Sequence, residues 1–326
     1  MAKLVDSMDM RSDLFKGWIS KWASSFNREL ANDIVSIEEE YAKNPELGLF
    51  KLKFVLDPQY SLIPDARVVT LDDFRRYALQ GNPAVDKVLE DLFWSKKLEV
   101  WLKTKSQDKA CQEFSESLSY FCERYSYRGS DLAPRCIRWM MDPAAGLDLE
   151  NNLKIAKPSD IHPLLQKHPE LANTVMKFLH QSVLEEWLIL CFNAAEADFV
   201  SDCRKRLADK PDLALNVLRW RLTPESPLVI PGLGNVSTPK ELAALIDKNE
   251  QGWRAGLELL NSGTVKEWLR AKRFLENFDA FDSLVHLASS PKVAMEALLH
   301  LLDPSIPQPK LNSSTQRLNL GTISVD

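Results

Sequence analysis

Residues able to do chemistry are few in this chain, and they are scattered. Five histidines occur in 326 residues, and His162 and His168 stand in Ile-His-Pro and Lys-His-Pro contexts that suit a helix start or a turn. Neither has cysteines or carboxylates at the spacing of a metal site. His180 precedes Trp187 by seven residues, and His286 and His300 fall inside apolar periodic runs, the pattern of half-buried or surface histidines. Paired carboxylates for acid–base work are offered by Glu38-Glu39-Glu40 and Glu185-Glu186, but both runs lie on helices where a solvated outer face is the expected position. Cys111, Cys122, Cys136, Cys191 and Cys203 are odd in number and include no C-x-x-C pair, which fits buried thiols in a reducing compartment. A cysteine nucleophile needs a basic partner that lowers its pKa, and the apolar helical stretches around Cys111, Cys122 and Cys191 supply none. Pro231-Gly-Leu-Gly234 lacks the spacing of a dinucleotide loop, and no P-loop, nucleophile elbow or zincin motif is present. The sequence therefore predicts no catalytic residue, no cofactor and no metal.

Nine tryptophans carry more information. Trp101, Trp187 and Trp268 recur in Val-Trp-Leu, Glu-Trp-Leu and Glu-Trp-Leu and are expected in the core. Trp18, Trp94, Trp139, Trp220 and Trp253 have no such constancy. Any of them left exposed is a candidate anchor for a partner.

The elements that hold these tryptophans repeat. Thr70-Leu-Asp-Asp-Phe74, Lys157-Pro-Ser-Asp-Ile161 and Thr238-Pro-Lys-Glu-Leu242 each precede a Trp-Leu element, and 29 residues separate Pro158 from Trp187 and Pro239 from Trp268. Each stretch then closes on a second landmark, Arg138-Trp-Met-Met-Asp-Pro143, Arg219-Trp-Arg-Leu-Thr-Pro224 or Leu299-His-Leu-Leu-Asp-Pro304. Trp22-Ala and Lys53-Phe-Val-Leu-Asp-Pro58 give the amino-terminal region the same two landmarks. Self-similarity at a period of roughly 80 residues predicts tandem helical units. Thr238-Pro239-Lys240-Glu241 reads as a capping box with proline at the first helical position, and Thr70 with Asp73 repeats it. Lys157 keeps the acid and the proline but loses the cap hydroxyl. Trp253, Leu257 and Leu260 have helical spacing and end at Asn261-Ser262-Gly263, while Phe281, Leu284, Val285 and Ala288 mark a further amphipathic stretch. Between copies lie Leu153-Lys-Ile155 and Leu228-Val-Ile230, read as short strands or loops.

The third full copy, with its Thr-Pro-x-Glu-Leu start, Asn-Ser-Gly turn, Val-Lys-Glu-Trp-Leu helix and Leu-Leu-Asp-Pro close, resembles a tandem helical Trp-Leu repeat element of large bacterial multidomain proteins. Such proteins join it to an Hsp70-like ATPase, a kinase or β-rich modules. The resemblance brings no catalytic residues with it. It implies that the tail from Pro309 to Asp326 is similar to the opening strands of a following β-sandwich module, or a strand docked on the helices.

Composition narrows the function classes. A net charge of −5 and a pI near 5.7 leave no basic face for a phosphate backbone, so nucleic acid is not expected as the main partner. No apolar run approaches the length of a membrane span, and Met1 to Lys16 lacks a signal-peptide core, so a cytoplasmic protein with no membrane partner is expected. The fold class expected is all-α. It divides into a partial repeat at 1–58, helical repeats at 59–143, 144–224 and 225–304, and a β-prone tail at 305–326, with short β-prone connectors between copies. An extended array of this kind suits a non-enzymatic scaffold that binds protein partners. The competing reading is an accessory protein of a bacterial defence or stress-response system that sequesters a regulator or is cut by a partner protease. Partner binding is expected at residues that differ between copies: Trp94, Trp139, Trp220, Arg204, Lys205 and Arg206.

Overall fold

A computed structural model describes residues 8–105, 107–124, 132–150, 153–275, 281 and 291–307. The tail from Pro309, His286 and most of the stretch from Phe281 to Ala288 lie outside the described residues. The protein is mostly α-helical, as its periodicity predicts. It divides into two compact units, Met1–Ala145 with Leu190–Phe192 and Gly146–Ile189 with Asn193–Asp326.

The first unit contains α1 (Met8–Phe15), α2 (Trp18–Ser24), α3 (Arg28–Glu40), α4 (Pro45–Leu56), α5 (Leu71–Ala78), α6 (Pro83–Trp94), α7 (Lys97–Thr104), α8 (Lys109–Arg124) and α9 (Leu132–Met141). Its amino-terminal core gathers Leu14, Ile19, Ala23, Ile34, Ile37 and Leu52 with Val100, so α7 closes the layer begun by α1–α4. The second unit contains β1 (Leu147–Asp148), β2 (Lys154–Ile155), α10 (Ile161–Lys167), α11 (Ala172–His180) and, as far as Ile189, α12 (Val183–Cys191). They are followed by α13 (Ala194–Arg206), α14 (Pro211–Leu222), β3 (Leu228–Ile230), β4 (Gly234–Val236), α15 (Pro239–Asp247), α16 (Glu250–Asn261), α17 (Thr264–Ala271) and α18 (Pro291–Leu302).

The β-prone connectors pair. Leu147 faces Ile155 and Leu228 faces Val236 in two antiparallel hairpins, and Ile63 bridges Val68 in the same manner. Val68, Ile155 and Val236 are buried and each lies two residues before a helix cap, which fixes where the next helix begins.

The caps form as the sequence predicts. Thr238 Oγ1 accepts the Glu241 amide at 3.2 Å while Glu241 accepts the Thr238 and Ser237 amides, and Thr70 and Asp73 make the same reciprocal pair. Hydrogen bonds from the Thr70 amide and hydroxyl, joined by those of its neighbours, pull the Asp73 carboxyl down to about 2. Asp160 still accepts the Lys157 amide at 3.1 Å, but without the hydroxyl this segment opens with a 3₁₀ turn, Pro158–Asp160, before α10.

One regularity is conformational. Gly17, Lys96, Ser182 and Gly263 all have positive φ, at 71°, 60°, 62° and 79°, and each stands five residues before Trp22, Trp101, Trp187 or Trp268. This left-handed residue turns the chain from one helix directly into the tryptophan helix, and glycine takes it without steric cost. Space around Gly263 is open, so only backbone conformation limits a side chain there. Lys96→Gly or Ser182→Gly is therefore expected to raise stability by about 0.5–1 kcal/mol, and Gly263→Ala to lower it by about 1 kcal/mol. Urea denaturation midpoints of the three variants check this; a loss of stability in both glycine variants would contradict the assigned turn.

Candidate protein-binding surface

Burial sorts the tryptophans. Trp101, Trp187 and Trp268 are each 0 % exposed, and Trp101 meets Phe74 at 5.9 Å between ring centroids while Trp268 meets Phe274 edge-on at 5.5 Å. The Nε1 groups of Trp101 and Trp268 have no hydrogen-bond partner among the described residues, so these rings serve packing alone.

Two proposed anchors are corrected by the structure. Trp139 and Trp220 are buried, and Trp220 donates Nε1–H to the Pro227 carbonyl at 3.1 Å. Both stand near the carboxyl ends of α9 and α14, among the buried residues of those helices. Trp94 is half-buried against Phe93 at 4.8 Å. The basic run divides as well. Arg204 pairs with Glu185 at 3.3 Å, Arg206 with Glu267 at 2.5 Å and Asp202 at 2.6 Å, and Lys205 alone of the three is exposed.

Those pairs correct a second expectation. Glu185 and Glu186 are buried, Glu186 to 1 % exposure, and not on a solvated face. Arg204 supplies the counter-charge that makes Glu185 tolerable there. Arg221, bidentate to Glu196, and Arg273, 2.9 Å from the same carboxylate, form a further, half-buried charge cluster in the second unit.

The remaining reactive groups are placed for structure. Burial pushes the Cys111 and Cys122 thiols up to about 11 and those of Cys191 and Cys203 to about 12; it drives Cys136 upward too. A thiol so protonated is a poor nucleophile at neutral pH. His162 is shifted down by burial, His168 lies 3.1 Å from Glu170, and His300 Nδ1 lies 2.6 Å from the Ile306 carbonyl. Among the described residues no three histidines, cysteines or acids are grouped to hold a metal. An open groove of about 740 Å³ in the first unit has Lys51 and Lys105 on its wall. Both are spent, on Glu40 at 2.6 Å and on the Pro58 carbonyl at 2.7 Å.

Three exposed aromatics fall close together in one stretch, while Tyr120 and Phe192 are exposed singly. Trp18 is 57 % exposed, Trp22 44 % and Phe26 59 %, with Trp22 and Phe26 stacked edge-to-face at 4.7 Å and Lys16 Nζ 5.3 Å from the Trp18 ring. Their i, i+4, i+8 spacing was visible in the sequence. Trp18 is among the tryptophans the sequence offers as an anchor if exposed; what hid Trp22 was its likeness to the buried tryptophans, since it has the same left-handed residue five positions before it, yet α1 and α3 leave its face open. No helix among the described residues is long and apolar enough to cross a membrane. No family model matches the chain, and neither a curated protein nor a solved structure is similar to it at a significant level.

Proposed function

We propose that the chain is a tandem array of one helical unit of roughly 80 residues, related to the Trp-Leu repeat element it resembles, and that it acts as a non-enzymatic scaffold for another protein. The observation that carries this reading is the aromatic stripe Trp18, Trp22 and Phe26, exposed where the matching tryptophans of three later segments are wholly covered. A soluble protein rarely leaves three neighbouring aromatics in water, and such clusters anchor partners. The recurring left-handed turn, hairpin and cap support the repeat. Its buried tryptophans and most of its buried acids are committed to packing and ion pairs, which leaves recognition to exposed positions such as Lys205 and the stripe.

Affinity capture with the purified full chain in the cell of origin tests the scaffold reading. An intact protein that co-elutes with the chain at fixed stoichiometry supports it. Recovery of a cut partner, or cleavage of the chain itself, favours the defence-accessory reading. Turnover abolished by substitution of one buried acid, histidine or cysteine would overturn both.

A further inference from the structure

Where a tryptophan helix is covered, the cover has a definite source. In the first unit α4 lies along α7, and in the second α14 lies along α17, so the closing helix of one segment packs on the tryptophan helix of the next. The joint carries a polar lock: Lys105, four residues past Trp101, donates to the carbonyl of Pro58 at the end of α4, and Lys272, four past Trp268, donates to that of Pro224 at the end of α14. α2 is the tryptophan helix of its own segment, and its main neighbours are α1 and α3. Phe26 stands four residues past Trp22, where the Trp101 and Trp268 segments have Lys105 and Lys272 and the Trp187 segment has Cys191.

We infer that the open face of α2 seats an acidic amphipathic helix from a partner protein, laid on Trp18, Trp22 and Phe26 as α4 lies on α7. This rests on the scaffold reading and names its partner's chemistry. Geometry supplies the helix: the same element receives one twice elsewhere in the chain, with apolar side chains at helical spacing. Charge supplies the acid. Lys16 lies over the Trp18 ring, and Lys21 and Arg28 flank Trp22 and Phe26 in sequence; all three are exposed and make no ion pair among the described residues, so a helix with glutamate or aspartate beside its apolar row meets unpaired cations. Phe26 in place of the lysine turns the lock apolar, so the occupant presents a side chain there and not a chain-end carbonyl. A second copy has little to offer this face. The closing helix of the last segment, α18, has Met295, Leu298, Leu299, Leu301 and Leu302 all buried within its own chain, and α4 and α14 are already engaged.

The probe is a pair of fluorescently labelled 16-residue peptides with one leucine row, flanked by glutamates in one and by lysines in the other, titrated against the purified full chain by anisotropy. The glutamate peptide is expected to bind at least 10-fold more tightly than its twin. Trp22→Ser is expected to weaken it at least 10-fold with the helical circular dichroism spectrum unchanged, and Lys16→Glu with Lys21→Glu to reverse the preference. Equal binding of both peptides, no binding of either, or binding indifferent to Trp22→Ser would overturn the inference. So would a chain that dimerises in the ultracentrifuge and becomes monomeric on Trp22→Ser, which assigns the face to a second copy. A partner captured equally well by the parent and by Trp22→Ser would leave the scaffold reading standing and remove only this face from it.

Discussion

Trp268→Ala is expected to lower stability by about 3–5 kcal/mol, the usual loss when a buried aromatic is cut back to a methyl group. The ring has no solvent exposure, stands between the buried Val265 and Leu269, and touches Phe274, so little is free to collapse into the space it leaves. Its Nε1–H adds a discriminating feature. That donor has no partner among the described residues, and an unmet buried donor costs about 1–3 kcal/mol. Trp268→Phe removes the unmet donor along with part of the ring, so its loss is expected to stay below about 1.5 kcal/mol. Trp22→Ala, at a position that aligns with Trp268 but is 44 % exposed, is expected to cost about half as much as Trp268→Ala or less. Calorimetry of the three variants gives the ordering directly; equal losses for alanine and phenylalanine at 268 would mean the ring packs poorly.

Arg206→Ala is expected to cost about 2–3 kcal/mol, towards the low end of what breaking a buried ion pair costs because Arg206 keeps a quarter of its side chain in solvent. Its guanidinium holds Glu267 at 2.5 Å, and the Glu267 side chain is only 8 % exposed. Removing the arginine strands that carboxylate, whose other oxygen already has no hydrogen-bond partner among the described residues. Replacing both residues with apolar ones of similar size, Arg206→Met with Glu267→Leu, is expected to recover most of the loss, since the pair's own net contribution is small once its desolvation is counted. Chemical denaturation of the single and double variants measures the coupling. A double variant as unstable as the sum of its singles would contradict the pairing.

How far the sequence reached depended on whether the deciding contact was local. The capping boxes at Thr70 and Thr238 are set by residues three apart, and both form as their spacing predicts. The Asn261-Ser262-Gly263 turn is likewise local. Lys96 and Ser182 were silent in the sequence because neither residue favours a left-handed conformation; only their place five residues before a tryptophan marks them. Glu185 and Glu186 were read as surface acids because they lie on a helix whose outer face was expected to be solvated. Glu185 is buried beside Arg204 of α13, 19 residues downstream of it. Trp139 and Trp220 were expected at the surface because they vary between segments, but variation reports only that neighbours differ, and each is packed by its own. Trp22 is the converse: it matches buried tryptophans, and its exposure comes from the absence of a covering helix among the described residues, which local sequence does not encode.

The central claim is that one tryptophan position is spent on packing in three segments and left for a partner in the fourth. Fluorine NMR of the full chain carrying 5-fluorotryptophan tests it most directly, with each resonance assigned by a single tryptophan-to-phenylalanine variant. The account predicts that a soluble paramagnetic agent broadens Trp18 and Trp22 while Trp101, Trp187 and Trp268 stay sharp, and that the glutamate-flanked peptide moves the first two resonances alone. Protection of Trp22 equal to that of Trp268, or peptide-induced shifts spread over the buried three, would contradict it.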